Sequence, residues 1–183
     1  MKFKIVKDTS LSLRSKSKPV TFPISEKDEK LLLKMLEYLK NSQNPAFREK
    51  HKDVREGVGL AAPQVGVNKR MLVIYFKSEE EKEVVHALVN PSIIENSLQK
   101  TYLLSGEGCL SVDDFHEGYV PRDYKIVVKA YDVIKKEDVM IKASGYEAII
   151  LQHEIDHLNG ILYYDRINKS NPFLKIANAV EIG

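Results

Sequence analysis

Residues 144–160 read Ser-Gly-Tyr-Glu-Ala-Ile-Ile-Leu-Gln-His-Glu-Ile-Asp-His-Leu-Asn-Gly, and the architecture can be worked out from this stretch. It predicts a helix over residues 144–159, because Ser144 and Glu147 match the capping-box pattern and Gly160 stands where a glycine often ends a helix. Apolar residues occupy nearly every side of this helix, and a helix of that kind is buried. We therefore expect the rest of the chain to be built around it.

Segments rich in β-branched and aromatic residues come before this helix and predict strands of mostly antiparallel sheet. They cover residues 71–76, 84–89, 124–131 and 139–141. Charged residues at 79–83 and 135–138 predict hairpin turns between strands.

Helices are also predicted towards both ends of the chain. A capping pattern at Ser25 precedes an apolar series that ends at the polar stretch 41–45. Residues 46–56 predict a second short helix, and the tail from Asn171 predicts one more. The sequence thus predicts a single α+β domain over residues 1–183. Mostly antiparallel sheets wrap around the buried central helix, with a long N-terminal helix and a short C-terminal element.

The composition excludes several classes of protein. Of 183 residues, 43% are hydrophobic and 30% are charged, which fits neither a disordered chain nor a membrane protein. The formal net charge of +2 gives no reason to expect direct nucleic-acid binding. The single cysteine, Cys109, excludes an intramolecular disulfide, and the first residues lack the apolar core of a signal peptide. We therefore expect a cytoplasmic protein.

The central helix carries a pattern typical of metal sites, His153-Glu154-Ile-Asp-His157. Two histidines four residues apart lie about 40° apart around a helix, so both rings can reach one ion. The glutamate between them can accept a proton from water. The same pattern also fits two core histidines that meet by chance. Burial favours the metal, because histidines and a carboxylate on an apolar helix are costly unless something satisfies them.

Spacing alone does not give the third ligand. Position 163 is Tyr, where one extended zinc-protease pattern requires His. Glu181 is the only glutamate after Glu154 and lies two residues from the C-terminus, which makes it a poor ligand. The remaining candidate is Cys109, within residues 107–111. A lone cysteine is more often a small buried apolar side chain, so both interpretations stay open on the residues alone.

Glycines mark two further segments of interest. Five of the nine glycines fall in or beside these segments: Gly57, Gly59, Gly66, Gly106 and Gly108. Small residues let a backbone approach a ligand or another backbone closely. The first segment, residues 57–64, ends in the amide side chain of Gln64. Taken alone, this segment also fits an ordinary loop between a helix and a strand.

Three segments in this order resemble the signature motifs of the peptide deformylase family: residues 57–64, 107–111 and 153–157. The resemblance covers nearly the whole chain and extends to residues 89–91, 118–122 and 159–166. The insert around residues 41–55 and the long loop 112–120 resemble the type found in Gram-positive bacteria and mycoplasmas. The resemblance implies a catalytic domain that removes the N-formyl group from the N-terminal methionine of new polypeptides and releases formate.

The resemblance also implies a role for each motif residue. Cys109, His153 and His157 would bind the metal and leave one position open, as catalytic sites do. Glu154 would act first as general base and then as general acid. The side-chain amide of Gln64 and the backbone N–H of Leu110 would form the oxyanion hole. Substrate contacts and the methionine pocket would come from Val58, Gly59, Leu110, Tyr146 and Ile149, and Glu107 and Arg122 would form a supporting ion pair.

Ligand types alone would favour zinc, since cysteine and histidine suit it. The resemblance implies Fe²⁺ instead, one ion per chain, in a site that Ni²⁺, Co²⁺ or Zn²⁺ can also occupy. The expected partners are N-formylmethionyl nascent peptides and, transiently, the ribosome. We expect a monomer that binds neither membranes nor nucleic acid directly.

Two other functions share some of these features. A general metallopeptidase would use the same two histidines and glutamate but a different third ligand. A structural metal site in a binding module would need four protein ligands. The role of Cys109 distinguishes the deformylase from the metallopeptidase, and an open fourth coordination position distinguishes it from the structural site.

Overall fold

The computed structural model describes residues 4–78 and 80–183. These residues form two sheets and three α-helices. The strands are β1 (Gly59–Ala61), β2 (Met71–Lys77), β3 (Glu83–Asn96), β4 (Lys100–Leu103), β5 (Arg122–Asp123), β6 (Lys125–Asp132), β7 (Glu137–Ser144) and β8 (Val180–Ile182). The helices are α1 (Glu26–Ser42), α2 (Pro45–Lys50) and α3 (Gly145–Leu158), with short 3₁₀ turns at Leu11–Leu13, Ala62–Val65 and Tyr163–Arg166.

The larger sheet has the strand order β1-β2-β3-β6-β7, and all of its pairs are antiparallel. Its strands β2, β3, β6 and β7 confirm the four segments predicted from composition. In the predicted turn 79–83, Glu79 lies outside the described residues. The N–H of Ser78 donates to the carbonyl of Lys82 and closes this hairpin. The α+β class with antiparallel sheets is confirmed.

The two faces of the larger sheet pack against different helices. Side chains alternate along β2, so Met71 and Val73 join the core beneath α1, while Leu72 and Ile74 join the core beneath α3. The cap of α1 is as predicted: the Ser25 hydroxyl accepts from the N–H of Asp28. The short helix α2 follows α1 and lies within the predicted segment 46–56, except for its first residue, Pro45.

The smaller sheet has the order β5-β4-β8, with β4 and β8 parallel. The expectation of a helix in the tail from Asn171 is wrong, because Val180–Ile182 forms strand β8 instead. Strand β8 pairs with the edge of β4 that β5 leaves open, and an open strand edge offers backbone hydrogen bonds to an extended segment. The hydroxyl of Tyr102 donates to the Glu181 carboxylate and fastens this pairing.

Helix α3 contacts both sheets, and every residue from Ala148 to Leu158 is buried. The predicted capping box at its start is wrong. The Ser144 side chain makes no capping bond, and the Glu147 carboxylate pairs with His86 of β3. Strand β7 instead runs directly into the helix through Gly145, whose φ is +58°. None of the helices in the described part of the chain has the length and apolar character that crossing a membrane requires.

Candidate metal centre and active site

Three side chains that can bind a metal converge beside helix α3. His153 and His157 lie one helical turn apart, and Cys109 approaches from the loop that follows β4. Their ligand atoms all lie within 4.8 Å of one another, and Cys109 Sγ is 3.3 Å from His157 Nε2. A thiolate with two imidazoles is a donor set for zinc or another late first-row metal, and three protein ligands leave a position open for substrate. The residues therefore fit a catalytic metal.

A buried carboxylate orients the first histidine. Glu107 accepts a hydrogen bond from His153 Nδ1 at 2.8 Å, which directs Nε2 towards the ligand cluster. The predicted pair of Glu107 and Arg122 is present, with both bonds at 2.8 Å. Burial alone would raise the pKa of Glu107, but Arg122 and His153 together lower this pKa to about 2. The carboxylate is thus ionised and available to His153 at every physiological pH.

The ion pair is part of a longer network that the sequence did not reveal. Arg122 also donates to Asp156 at 2.5 Å, and Arg166 donates to both oxygens of Asp156, at 2.5 and 2.6 Å. Asp156 lies between the two histidines on α3, whereas Arg166 lies on the 3₁₀ turn after the helix. No sequence pattern joins these residues, because their contact depends on how the chain turns at Gly160. There a Cβ would lie only 3.0 Å from the backbone of Arg14.

Glu154 is a buried carboxylate that lines the same cavity as Cys109 and His153. It is 3% exposed, and its Oε2 has no hydrogen-bond partner among the described residues. Burial raises the pKa of Glu154 to about 7, and the charge of Glu107 adds to this effect. A carboxyl group with a pKa near 7 can both accept and return a proton near neutral pH.

Gln64 is held in one orientation by the backbone. Its Oε1 accepts from the N–H of Ala61 at 2.8 Å, so its Nε2 must point the other way. That NH₂ group lies 3.5 Å from Cys109 Sγ and 3.3 Å from Ser111 Oγ. The amide donor therefore lies beside the metal-ligand cluster.

The predicted substrate residues surround a single cavity of about 360 Å³. All five line it: Val58, Gly59, Leu110, Tyr146 and Ile149. Gln64, Cys109, His153 and Glu154 line the same cavity, whereas His157 and Arg122 do not line it. Sequence reasoning missed Arg55 and Glu56, which line the cavity immediately before the first glycine segment. Their charged side chains gave no signal that distinguished them from ordinary surface residues.

Comparisons with known proteins agree with this geometry. A sequence model of the polypeptide deformylase family matches residues 2–173. Peptide deformylase 2 of Bacillus subtilis (strain 168) is 47% identical over 178 residues, which cover 97% of this chain and 96% of that protein.

Solved structures of similar proteins have the same fold. A probable peptide deformylase from Synechococcus phage S-SSM7 superposes with a TM-score of 0.72 at 37% identity, covering 90% of this chain and 99% of that one. The Met-Ala-Ser-bound class I type b peptide deformylase from Acinetobacter baumannii gives a TM-score of 0.71 at 30% identity, covering 91% and 99%.

Proposed function

The chain belongs to the polypeptide deformylase family and removes the N-formyl group from the N-terminal methionine of new polypeptides, and we propose that the side chains around the cavity carry out this reaction. One observation carries the proposal: Cys109, His153, Gln64 and Glu154 line one cavity, and His157 completes the ligand cluster with Cys109 and His153. We propose further that residues 1–183 form one catalytic domain, with α3 as the central scaffold of the site.

Cys109, His153 and His157 would hold the metal. When bound, the cation supplies Lewis acidity that polarises the formyl carbonyl and makes water a better nucleophile. Glu107 supports this site by fixing the ring of His153, at a distance of 2.8 Å. Gln64 and the N–H of Ser111 lie within 3.5 Å of Cys109 Sγ, so they stabilise the thiolate form of the ligand.

Glu154 moves the protons of the reaction. Its carboxylate accepts a proton from water as the oxygen attacks the formyl carbon. It then donates that proton to the methionine nitrogen as the carbon–nitrogen bond breaks. The products are formate and a free amino group. Because burial holds its pKa at about 7, Glu154 can perform both transfers without a second titrating group.

The oxyanion that forms during attack needs donors that are already in place. Gln64 offers an NH₂ group fixed by its bond to Ala61. The backbone N–H of Leu110 is the second donor, since it donates to no acceptor within the described part of the chain. Val58, Gly59 and Leu110 contact the substrate backbone, and Tyr146 with Ile149 lines the methionine pocket.

We assign Fe²⁺ as the working ion, one per chain, on the strength of the family resemblance. The sulfur and two nitrogens suit Ni²⁺, Co²⁺ and Zn²⁺ as well, so these ions can occupy the site.

The substrate is a formylated nascent peptide. A similar structure has been solved with Met-Ala-Ser bound, which has the sequence of a deformylated product. We propose that the protein acts as a monomer in the cytoplasm, contacts the ribosome transiently and binds neither membranes nor nucleic acid.

A comparison of blocked peptides tests this function against a general peptidase. Formyl-Met-Ala-Ser should release formate, while acetyl-Met-Ala-Ser and unblocked Met-Ala-Ser should remain intact. Cys109→Ala should lose the metal, because only two protein ligands would remain. Cleavage between Met and Ala, or full metal retention by Cys109→Ala, would contradict the proposal.

A further inference from the structure

Arg55 holds the loop that carries Cys109 and Leu110. Its guanidinium donates to three carbonyls of this loop: Cys109 at 3.3 Å, Val112 at 3.0 Å, and Leu110. No other side chain among the described residues bonds to these three oxygens. Arg55 lies two residues before Gly57, so it links the first glycine segment to the cysteine loop.

Two of these carbonyls belong to the peptide groups on either side of Leu110. The Cys109 carbonyl and the Leu110 N–H are parts of the same planar peptide group and point in opposite directions. A donor bound to that oxygen therefore fixes the direction of that N–H. The Leu110 carbonyl belongs to the next peptide group, and Arg55 holds it too. The guanidinium thus restrains both peptide planes at this residue.

The same contact makes the N–H a stronger donor. A charged guanidinium on the Cys109 oxygen withdraws electron density from the peptide group, and hydrogen bonds in series strengthen one another. The Val112 N–H donates to that oxygen as well, at 3.2 Å. A carbonyl oxygen has two lone pairs, so both bonds can form together.

We propose that Arg55 is a positioning residue for deformylation, acting through the Cys109–Leu110 peptide group on the oxyanion donor. This inference rests on the proposed function, since it needs the Leu110 N–H to meet the oxyanion. The side chain is 46% exposed and also lies 3.4 Å from Asp113. Its effect on the reaction comes through the three carbonyls.

Lysine is not an adequate replacement. Arginine presents five donors in a rigid fork, whereas the single ammonium group of lysine cannot span three carbonyls. Arg55→Lys and Arg55→Ala should therefore both lower kcat by about tenfold, the low end of what is typical when an orienting partner is lost. KM should stay within about twofold, because a donor used mainly in the transition state contributes little to ground-state binding.

Lys7→Ala is the matched control. Lys7 pairs with Asp113 at 2.6 Å, as Arg55 does, but contacts none of the three carbonyls. Its removal should leave kcat unchanged. All variants are assayed as full-length, metal-loaded protein with formyl-Met-Ala-Ser.

An NMR measurement provides a readout that does not depend on turnover. In Zn²⁺-loaded, ¹⁵N-labelled protein, the Leu110 amide proton should move upfield in Arg55→Ala and stay in place in Lys7→Ala. Unchanged kcat in both Arg55 variants would overturn the inference. So would a fall in kcat without movement of the Leu110 amide resonance. Failure of the proposed function would appear elsewhere, as full activity in Glu154→Gln.

Discussion

Gly59 lies directly against the side chain of Glu154. A Cβ at position 59 would stand 2.7 Å from Cδ and 2.8 Å from Cγ of that glutamate, closer than real side chains approach. Glu154 is only 3% exposed, so it cannot turn into solvent to make room. The sequence suggested that this glycine leaves space for a substrate. The structure adds that it leaves space for the carboxylate that we propose moves the protons.

Gly59→Ala should therefore displace Glu154 and lower kcat by at least about 10²-fold, the lower range for general acid–base catalysis. It should also destabilise the protein by about 1–3 kcal/mol, as overpacking of a core does. Steady-state kinetics and urea unfolding measure the two effects. Gly108→Ala is the control for folding and metal content, because a Cβ there has no heavy atom within 4 Å. Wild-type kcat in Gly59→Ala would show that the carboxylate has room to move.

The network behind His153 gives a second prediction. Glu107→Gln removes the charge that Arg122 faces, and breaking a buried pair costs about 3–5 kcal/mol. The metal affinity should fall about 10–100-fold, since the ring of His153 loses its orienting carboxylate. Unfolding by urea and titration with Co²⁺ measure these changes.

Arg48→Ala is the control for this second prediction. Arg48 pairs with Glu56 at the surface, where the two side chains are 29% and 57% exposed. Such surface pairs contribute about 0–1 kcal/mol to the free energy of unfolding. Equal losses of stability in Glu107→Gln and Arg48→Ala would contradict the buried role of Glu107.

Burial of Glu154 predicts a pH dependence in the metal-free protein. Its pKa is about 7 when folded and near 4.5 when unfolded, so the folded state binds this proton more tightly. Below about pH 4.5 this group makes its full contribution of about 3 kcal/mol to the free energy of unfolding. That contribution is lost as the pH rises through about 7. Glu154→Gln removes this loss of stability, because glutamine does not titrate. Glu49→Gln is the control, since Glu49 is exposed. Urea unfolding of each protein across this range should show a decline that is larger by about 3 kcal/mol in wild type and Glu49→Gln than in Glu154→Gln. Parallel curves for wild type and Glu154→Gln would refute the raised pKa.

Sequence reasoning identified the site better than its surroundings. The two histidines and Glu154 could be predicted because a helix fixes the angle between residues three or four apart, whereas the role of Cys109 came from the family resemblance. The pair of Glu107 and Arg122 came from the family resemblance. Arg166 was missed, since its contact with Asp156 depends on the turn after α3.

The errors in the predicted fold have related causes. Glu147 and Ser144 have the spacing of a capping box, but His86 lies on another strand and pairs with Glu147 instead. The tail has an apolar pattern that also fits a helix. Val180–Ile182 forms a strand instead, because it pairs with β4. In each case a partner distant in sequence outweighs a local preference, and a local pattern contains no information about that partner.

The metal gives a fourth prediction. Protein purified without oxygen and loaded with Fe²⁺ should lose activity in air, because oxidation of the ion or of the Cys109 thiolate destroys the site. Ni²⁺ or Co²⁺ should give air-stable turnover, and Zn²⁺ much less, because zinc with a thiolate tends to remain tetrahedral. Metal analysis beside each assay separates loss of the ion from loss of the ligand. A zinc-loaded protein as fast as the iron form, with no sensitivity to oxygen, would refute the iron assignment.

Gln64→Leu provides a fifth prediction. The substitution keeps the volume but removes an NH₂ donor that lies beside the metal-ligand cluster. Loss of one oxyanion donor typically lowers kcat by about 10²–10³-fold. KM should change far less, since the donor acts mainly in the transition state. A change confined to KM would instead assign Gln64 to substrate positioning.

The most direct test of the account compares formate release from formyl-Met-Ala-Ser by wild type and Glu154→Gln, with the bound metal measured in both. Both proteins should bind one equivalent of metal, because Glu154 is not a ligand. Glu154→Gln should be slower by at least about 10²-fold, since glutamine cannot accept or return the proton. Wild-type turnover in a fully metal-loaded Glu154→Gln protein would contradict the account.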